Sequence, residues 1–299
     1  MINLIYCVYD SDKHLREARF SILTALHYLE SAADEYRIVV YTTQPRIFSS
    51  FPVTIEPLDQ AIVKSWRGEI DFQFRTKIMA MITVMDRYPG STMLLDSDTY
   101  FAKSPRGLLG LLKPGVSIMD RFDGRIFHVP AHIDFAHDLK RAFPNLTIPL
   151  PGGDEFQVSE ADSEMWVAGI VGLHLQDRKL LDRILQVCDA IYPHFPHTFV
   201  EQFSFTEVLR QNTRLIPARP TINHYWGRWV DPYYRLGRRE FFHAQINAVF
   251  KDNPDGDYKQ ALQSLRKIGI RPFRRPMYYR MMTGTRKLWR SMLGRRRTL

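Results

Sequence analysis

Apolar runs and helical stripes alternate through the first hundred residues, and this alternation confines the chain to one fold class. Residues 3–9 (NLIYCVY) are a short run rich in β formers, the pattern of a strand buried on both faces. Leu15, Ala18, Ile22, Leu23, Leu26 and Leu29 then recur at helical spacing and predict an amphipathic helix over residues 12–31. Residues 37–43 (RIVVYTT) and 53–58 predict two further strands. Phe74, Ile78, Met81, Ile82 and Met85 stripe a second helix, which Pro89-Gly90 stops. Residues 92–95 (TMLL) predict a strand running into Asp96. Strand–helix–strand order of this kind packs as an α/β fold with a mostly parallel central sheet flanked by helices.

The second half is less regular. Residues 116–119, 167–173 and 215–216 read as strands, and 180–191 and 202–211 as helices. Residues 121–162 are rich in Pro, Gly, His and Asp and predict an irregular insertion, while 252–257 (DNPDGD) predict a linker or turn. The expected division is a main domain over residues 1–237 and a basic, partly helical extension over 238–299. Charge supports it: of 41 Lys and Arg, 13 lie from Lys259 onward, where no Asp or Glu occurs, leaving 28 against 32 acidic residues before it. A mildly acidic body with a basic tail argues against nucleic acid as the partner of the whole chain. Basic residues interleaved with Met281, Met282, Trp289 and Leu293 suit an anionic membrane surface, with a plain cationic tail and, less favoured, a nucleic-acid contact as the alternatives. No apolar run approaches the ~20 residues of a membrane-spanning helix. Cys7 and Cys188 show no CxxC spacing, and residues 1–10 carry no basic leader pattern. These features lead to the expectation of a cytoplasmic protein, peripheral at most on the inner face of a membrane.

Residues 94–101 (LLDSDTYF) carry the strongest chemical signal. An apolar strand delivers Asp96 and Asp98 at its carboxyl end, where open α/β sheets bind ligands. Residues two apart on an extended chain share a face, so both carboxylates can reach one cation. Hard oxygen ligands suit Mg2+ or Mn2+ bridged to phosphates. The competing reading is a pair of solvated turn carboxylates.

With the preceding FRTKIMAMITVMDRY, this stretch resembles the GT-A family of nucleotide-sugar glycosyltransferases. The resemblance covers roughly residues 1–235 and implies a GT-A-like catalytic domain that binds a nucleoside-diphosphate sugar, UDP-linked by expectation. It implies that Tyr9 and Asp10, at the end of the first strand, lie against the nucleotide base, and that Arg75, Lys77 and Asp96 contact the donor. MWVAGIVGLH resembles the family's Asn-Ala/Ser-Gly strand, with Val167 in place of the Asn. TINHYWG resembles the late His motif of glycogenin-like retaining members, which implies His224 as a third metal ligand beside Asp96 and Asp98. Glu201, at a predicted helix start, matches an acidic residue that contacts sugar in the family. The implied reaction is metal-dependent hexosyl transfer to an acceptor hydroxyl, on a polysaccharide or lipid-linked glycan, with retention favoured. The rivals are a sugar nucleotidyltransferase, disfavoured by the absence of glycine in YDSDKHLREAR, and a non-catalytic protein of the same fold.

Residues 152–156 (GGDEF) spell the signature of diguanylate cyclases. The context departs from that family: AKSPRGLLGLLKPG follows the aspartates without its guanine-binding groups. The entry TIPLP holds two prolines, which predicts a loop around a tight Gly-Gly turn rather than paired strands. Asp154 and Glu155 are candidates to face an acceptor, and with Asp162, Glu164 and Glu201 they complete the candidate bases of an inverting reaction. His128, His132, Asp134, His137 and Asp138 crowd one segment, but Pro130 breaks the helix that would align the first two for zinc.

Overall fold

The computed structural model describes residues 1–9, 11–30, 34–225, 232–251 and 257–271. Eleven strands are described: β1 (Ile2–Val8), β2 (Tyr36–Thr42), β3 (Thr54–Pro57), β4 (Ser91–Leu95), β5 (Thr99–Phe101), β6 (Val116–Arg125), β7 (Thr147–Pro149), β8 (Glu155–Gln157), β9 (Glu164–Leu173), β10 (Arg214–Pro217) and β11 (Ile222–His224). The described helices are α1 (Asp12–Leu29), α2 (Gln60–Arg67), α3 (Arg75–Arg87), α4 (Arg106–Leu109), α5 (Ile133–Ala142), α6 (Lys179–Ile191), α7 (Phe199–Asn212), α8 (Pro232–Val249) and α9 (Tyr258–Ile268).

Seven strands form the central sheet in the order β10-β6-β9-β4-β1-β2-β3. All neighbouring pairs are parallel except those of β9, which runs antiparallel to both β4 and β6. This is the mostly parallel α/β sheet that the alternation predicts. Both faces are buried, so β1 carries no polar/apolar alternation: Leu4, Tyr6 and Val8 enter one apolar layer and Ile5 the other. The first layer holds α1, α8 and α9; the second holds α3, α6 and α7.

The connection β1–α1–β2 therefore covers one face, and the return through α2 and α3 to β4 covers the other. β2 and β4 flank β1, which places a topological switch point between β1 and β4, the place where open α/β sheets leave a crevice at their carboxyl ends.

Three expectations need correction. Residues 121–162 are not irregular: β6 continues to Arg125, and α5 buries Phe135, Ala136 and Leu139. Residues 147–157 form a hairpin, with Ile148 opposite Phe156 and the Gly-Gly turn of GGDEF at its tip. Pro149 is accommodated because a two-stranded ladder consists only of edges, where a missing N–H can face away from the partner. Helix α2 lies where no helix is expected; Asp59 caps it by accepting from the Ile62 N–H at 2.7 Å. α8 spans positions 237 and 238, and α9 packs its Ala261, Leu262 and Leu265 into the layer that α1 lines.

Candidate metal and donor site

The crevice is built from four strand ends and two helix starts. β4 ends at Leu95 with every residue buried, so the chain emerges from the sheet at Asp96. The Asp96 amide donates to the Gly169 carbonyl of β9 at 2.9 Å, which fixes where the turn begins. The turn then doubles back as β5. β11 pairs antiparallel to β5, with His224 opposite Thr99, and the Tyr225 amide donates to the Asp98 carbonyl at 3.0 Å. This three-residue ladder brings a histidine from the far end of the chain beside the Asp-x-Asp turn.

Asp96, Asp98 and His224 each offer a ligand atom, and these atoms all lie within 4.8 Å of one another. Among the described residues this is the one such cluster of three metal-ligating groups. His224 Nε2 is 3.1 Å from Asp98 Oδ1, and Nδ1 is 3.4 Å from Asp120 Oδ2. Asp120 is fully buried and also pairs with Arg121 (2.8 Å) and Arg219 (2.8 Å); Arg219 Nη2 further donates to the His224 carbonyl at 2.5 Å. Burial works against the imidazolium, but Asp98 and Asp120 outweigh it and lift His224 to about 9. Burial likewise opposes the two carboxylates, yet His224 holds Asp98 below its usual range and, with Arg219 and Arg121, Asp120 at about 2. Gly169 makes room for the ring: a Cβ there would lie 2.3 Å from His224 Nδ1.

Lys77, in the first turn of α3, bonds both oxygens of Asp96 at 2.7 and 2.9 Å, and lies 3.6 Å from Glu201 Oε1. Burial disfavours its charge, but Asp96, Glu201 and Asp98 together hold the ammonium above the usual lysine range. Glu201, in the first turn of α7, is 3 % exposed, and its Oε1 finds no hydrogen-bond partner among the described residues. Burial pushes its carboxyl up to about 7, with Lys77 opposing and Asp96 adding.

Two chambers meet at these groups and share Phe74, Lys77, Asp96 and His224. One, of about 330 Å³, extends past Tyr9, Gln73, Thr76 and Ser97 to Arg239. Tyr9 donates to or accepts from Thr76 Oγ1 at 3.2 Å, which sets its ring against the start of α3. The other, of about 270 Å³, is lined further by Arg121, Asp123, Val167, Glu201 and Gln202.

The remaining sequence candidates lie elsewhere. Arg75 turns from the crevice and forks onto Asp189 of α6 at 2.8 and 3.0 Å, while its Nη1 donates to the Trp66 carbonyl. Asp154 pairs with Arg183 at the hairpin tip, and neither it nor Glu155 lines either chamber. Asp162 and Glu164 do not line the chambers either. His132 is buried against Asp123 and the edge of Phe199, away from any cluster with His128 or His137. Asp10 lies outside the described residues. Sequence reasoning missed Asp120, Asp123, Gly169 and Arg219. Only Gly169 carried a signal, in the Ala-Gly of MWVAGIVGLH.

No protein-family profile matches the chain, and no curated protein matches it. Among solved structures it is similar to mouse xyloside xylosyltransferase 1 in its apo form, at 12% identity over 83% of this chain and 93% of that one, with a TM-score of 0.47. It is also similar to the glycosyltransferase GlyE of Streptococcus pneumoniae TIGR4, at 10% identity over 89% of this chain and 63% of GlyE, with a TM-score of 0.48. These neighbours are glycosyltransferases.

Proposed function

We propose that the protein is a GT-A-like, metal-dependent glycosyltransferase that moves a hexosyl group from a nucleoside-diphosphate sugar, UDP-linked, to an acceptor hydroxyl. The observation that carries this reading is the meeting of Asp96, Asp98 and His224 where two chambers join at the switch point. A donor set of two carboxylates and one imidazole fits Mn2+ and, with more retained water, Mg2+. Such an ion, when bound, neutralises charge that builds on a departing diphosphate.

The chain's own groups take the remaining roles. The chamber with Tyr9 and Thr76 suits the nucleoside, and Tyr9 offers it a ring face. The chamber with Glu201, Gln202 and Asp123 suits the transferred sugar and the acceptor, with carboxylates and an amide to meet hydroxyls. Lys77 stands between the two, where an ammonium supports developing phosphate charge. Retention of configuration is the proposed outcome, on the resemblance of the Asp-Asp-His set to glycogenin-like enzymes. The acceptor is a polysaccharide or lipid-linked glycan. Contact with an anionic membrane rests on residues 272–299, which lie outside the described residues. Residues 1–237 form the proposed catalytic unit, to which the following segment adds Arg239 at the nucleoside chamber.

Thermal melting with UDP, GDP, CDP and ADP, each with and without Mn2+, tests the reading. A ligand that binds only the folded state raises the melting temperature. The expected result is a Mn2+-dependent shift with UDP that disappears in Asp96→Asn and Asp98→Asn proteins. A wild-type protein that responds to no nucleotide with Mn2+ present would return Asp96 and Asp98 to the status of turn residues.

A further inference from the structure

The Lys77–Asp96 contact sets a problem for any cation that uses Asp96. The ammonium bonds both carboxylate oxygens, at 2.7 and 2.9 Å, and Asp96 is only 23% exposed. A divalent ion needs at least one of those oxygens. A second positive charge left within ~4 Å of a divalent ion is repelled by more than the lysine gains from sharing the carboxylate. The ammonium has to go somewhere, and it is buried too deeply to go to water without loss.

A destination lies next to it. Glu201 Oε1 is 3.6 Å from Lys77 Nζ, beyond hydrogen-bond length, and is buried without a hydrogen-bond partner among the described residues. A buried carboxylate oxygen left in that condition is expensive. Lys77 sits on the first turn of α3 and Glu201 on the first turn of α7, so the two backbones are fixed by packed helices. Only the flexible lysine stem has to move, and its Nζ lies over the Phe74 ring, 5.5 Å from the centroid.

We propose that Lys77 is a tethered counter-cation that competes with a divalent metal for Asp96, and that Glu201 is the positioning residue that receives its ammonium when the metal wins. The inference rests on the metal site proposed above. It adds to Glu201 a role that acts through Lys77. It also gives Lys77 two opposed effects: it weakens metal binding to the nucleotide-free protein and strengthens binding of the diphosphate.

The test is Mn2+ affinity, measured by calorimetry or by loss of the free-ion electron spin resonance signal, on nucleotide-free protein. The proteins are wild type, Lys77→Met, Glu201→Gln and the double variant, with circular dichroism to show that each is folded. Lys77→Met is expected to bind Mn2+ at least about tenfold more tightly than wild type, a fraction of what a like charge within ~4 Å exerts at a partly buried site. Glu201→Gln is expected to bind more weakly than wild type, because the displaced ammonium has lost its acceptor. In the double variant Glu201→Gln should have no further effect, since its action passes through Lys77. Weaker or unchanged binding by Lys77→Met overturns the inference, as does an undiminished Glu201→Gln effect in the double variant. If Glu201→Gln does not fold, Glu201→Asp, which shortens the acceptor by one methylene, must show the same direction. Absence of Mn2+ binding in every protein overturns the metal site itself, whereas equal binding by all four overturns only the role of Lys77.

Discussion

Gly169→Ala is the smallest change that should disable the metal site without touching a ligand. The added Cβ would lie 2.3 Å from Nδ1, 2.6 Å from Cε1 and 2.8 Å from Cγ of His224, where ordinary contacts begin near 3.4 Å. The imidazole would have to retreat by about 1 Å, several times the ~0.2 Å that a metal–ligand bond tolerates. It cannot retreat as a unit with its backbone, because β11 is paired with β5, the Tyr225 amide is bonded to Asp98, and Arg219 holds the His224 carbonyl. The ring must therefore turn away from Asp98. Loss of orientation at a ligand costs about 10–100-fold in metal affinity, and overpacking a filled site costs roughly 1–3 kcal/mol in stability. The assay is Mn2+ titration of the folded variant at pH 8, with thermal melting alongside. Gly172→Ala on the same strand is the control. Its Cβ would meet the ends of Leu112 and Met93 at 3.1 Å and the Ile118 Cβ at 3.2 Å, far from the site. Gly169→Ala protein that binds Mn2+ within about twofold of wild type would show that the metal does not need His224 held in this position.

Other consequences follow from the same contacts. His224 is lifted from 6.5 to about 9, so its charge contacts stabilise the metal-free protein fully below pH 6.5 and are lost as pH rises toward 9, a change of roughly 3 kcal/mol. The metal-free melting temperature should fall over that window in wild type and stay flat in His224→Asn, while Mn2+ affinity of the wild type should rise as the competing proton leaves. Arg75→Met removes the fork onto Asp189 and the bond to the Trp66 carbonyl; it should lower stability by about 1–2 kcal/mol in denaturant melts and leave Mn2+-dependent nucleotide affinity unchanged. Asp154→Ala should likewise leave nucleotide affinity unchanged, because its partner Arg183 and its hairpin lie outside both chambers.

Much of the sheet could be read from the chain because its strands are short uninterrupted apolar runs and its early helices are striped. Residues 37–43, for example, differ by one position at each end from β2. Asp96 and Asp98 were legible for the same reason: a fully apolar strand that ends in charge has to leave the sheet there. His224 was legible only through resemblance, because the ladder that places it is three residues long and its strands lie in mixed aromatic and polar sequence. Asp120 gave no signal, since its meaning depends on Arg219 and His224, about a hundred residues later. Arg75 misled for a related reason: its position at the start of α3 suits a phosphate, but a partner 114 residues away claims it. The hairpin at 147–157 is hidden in the sequence because proline argues against an interior strand, whereas both strands of this two-stranded ladder are edges.

Asp96, Asp98 and His224 are proposed to hold one divalent ion jointly for a nucleoside diphosphate. Anomalous diffraction from crystals grown with Mn2+ and UDP tests it most directly. The expected result is one Mn2+ peak within bonding distance of all three side chains, with the diphosphate on the ion and the uridine toward Tyr9. A Mn2+ peak that omits His224, or UDP bound in ordered form with no metal between Asp96 and Asp98, would contradict it.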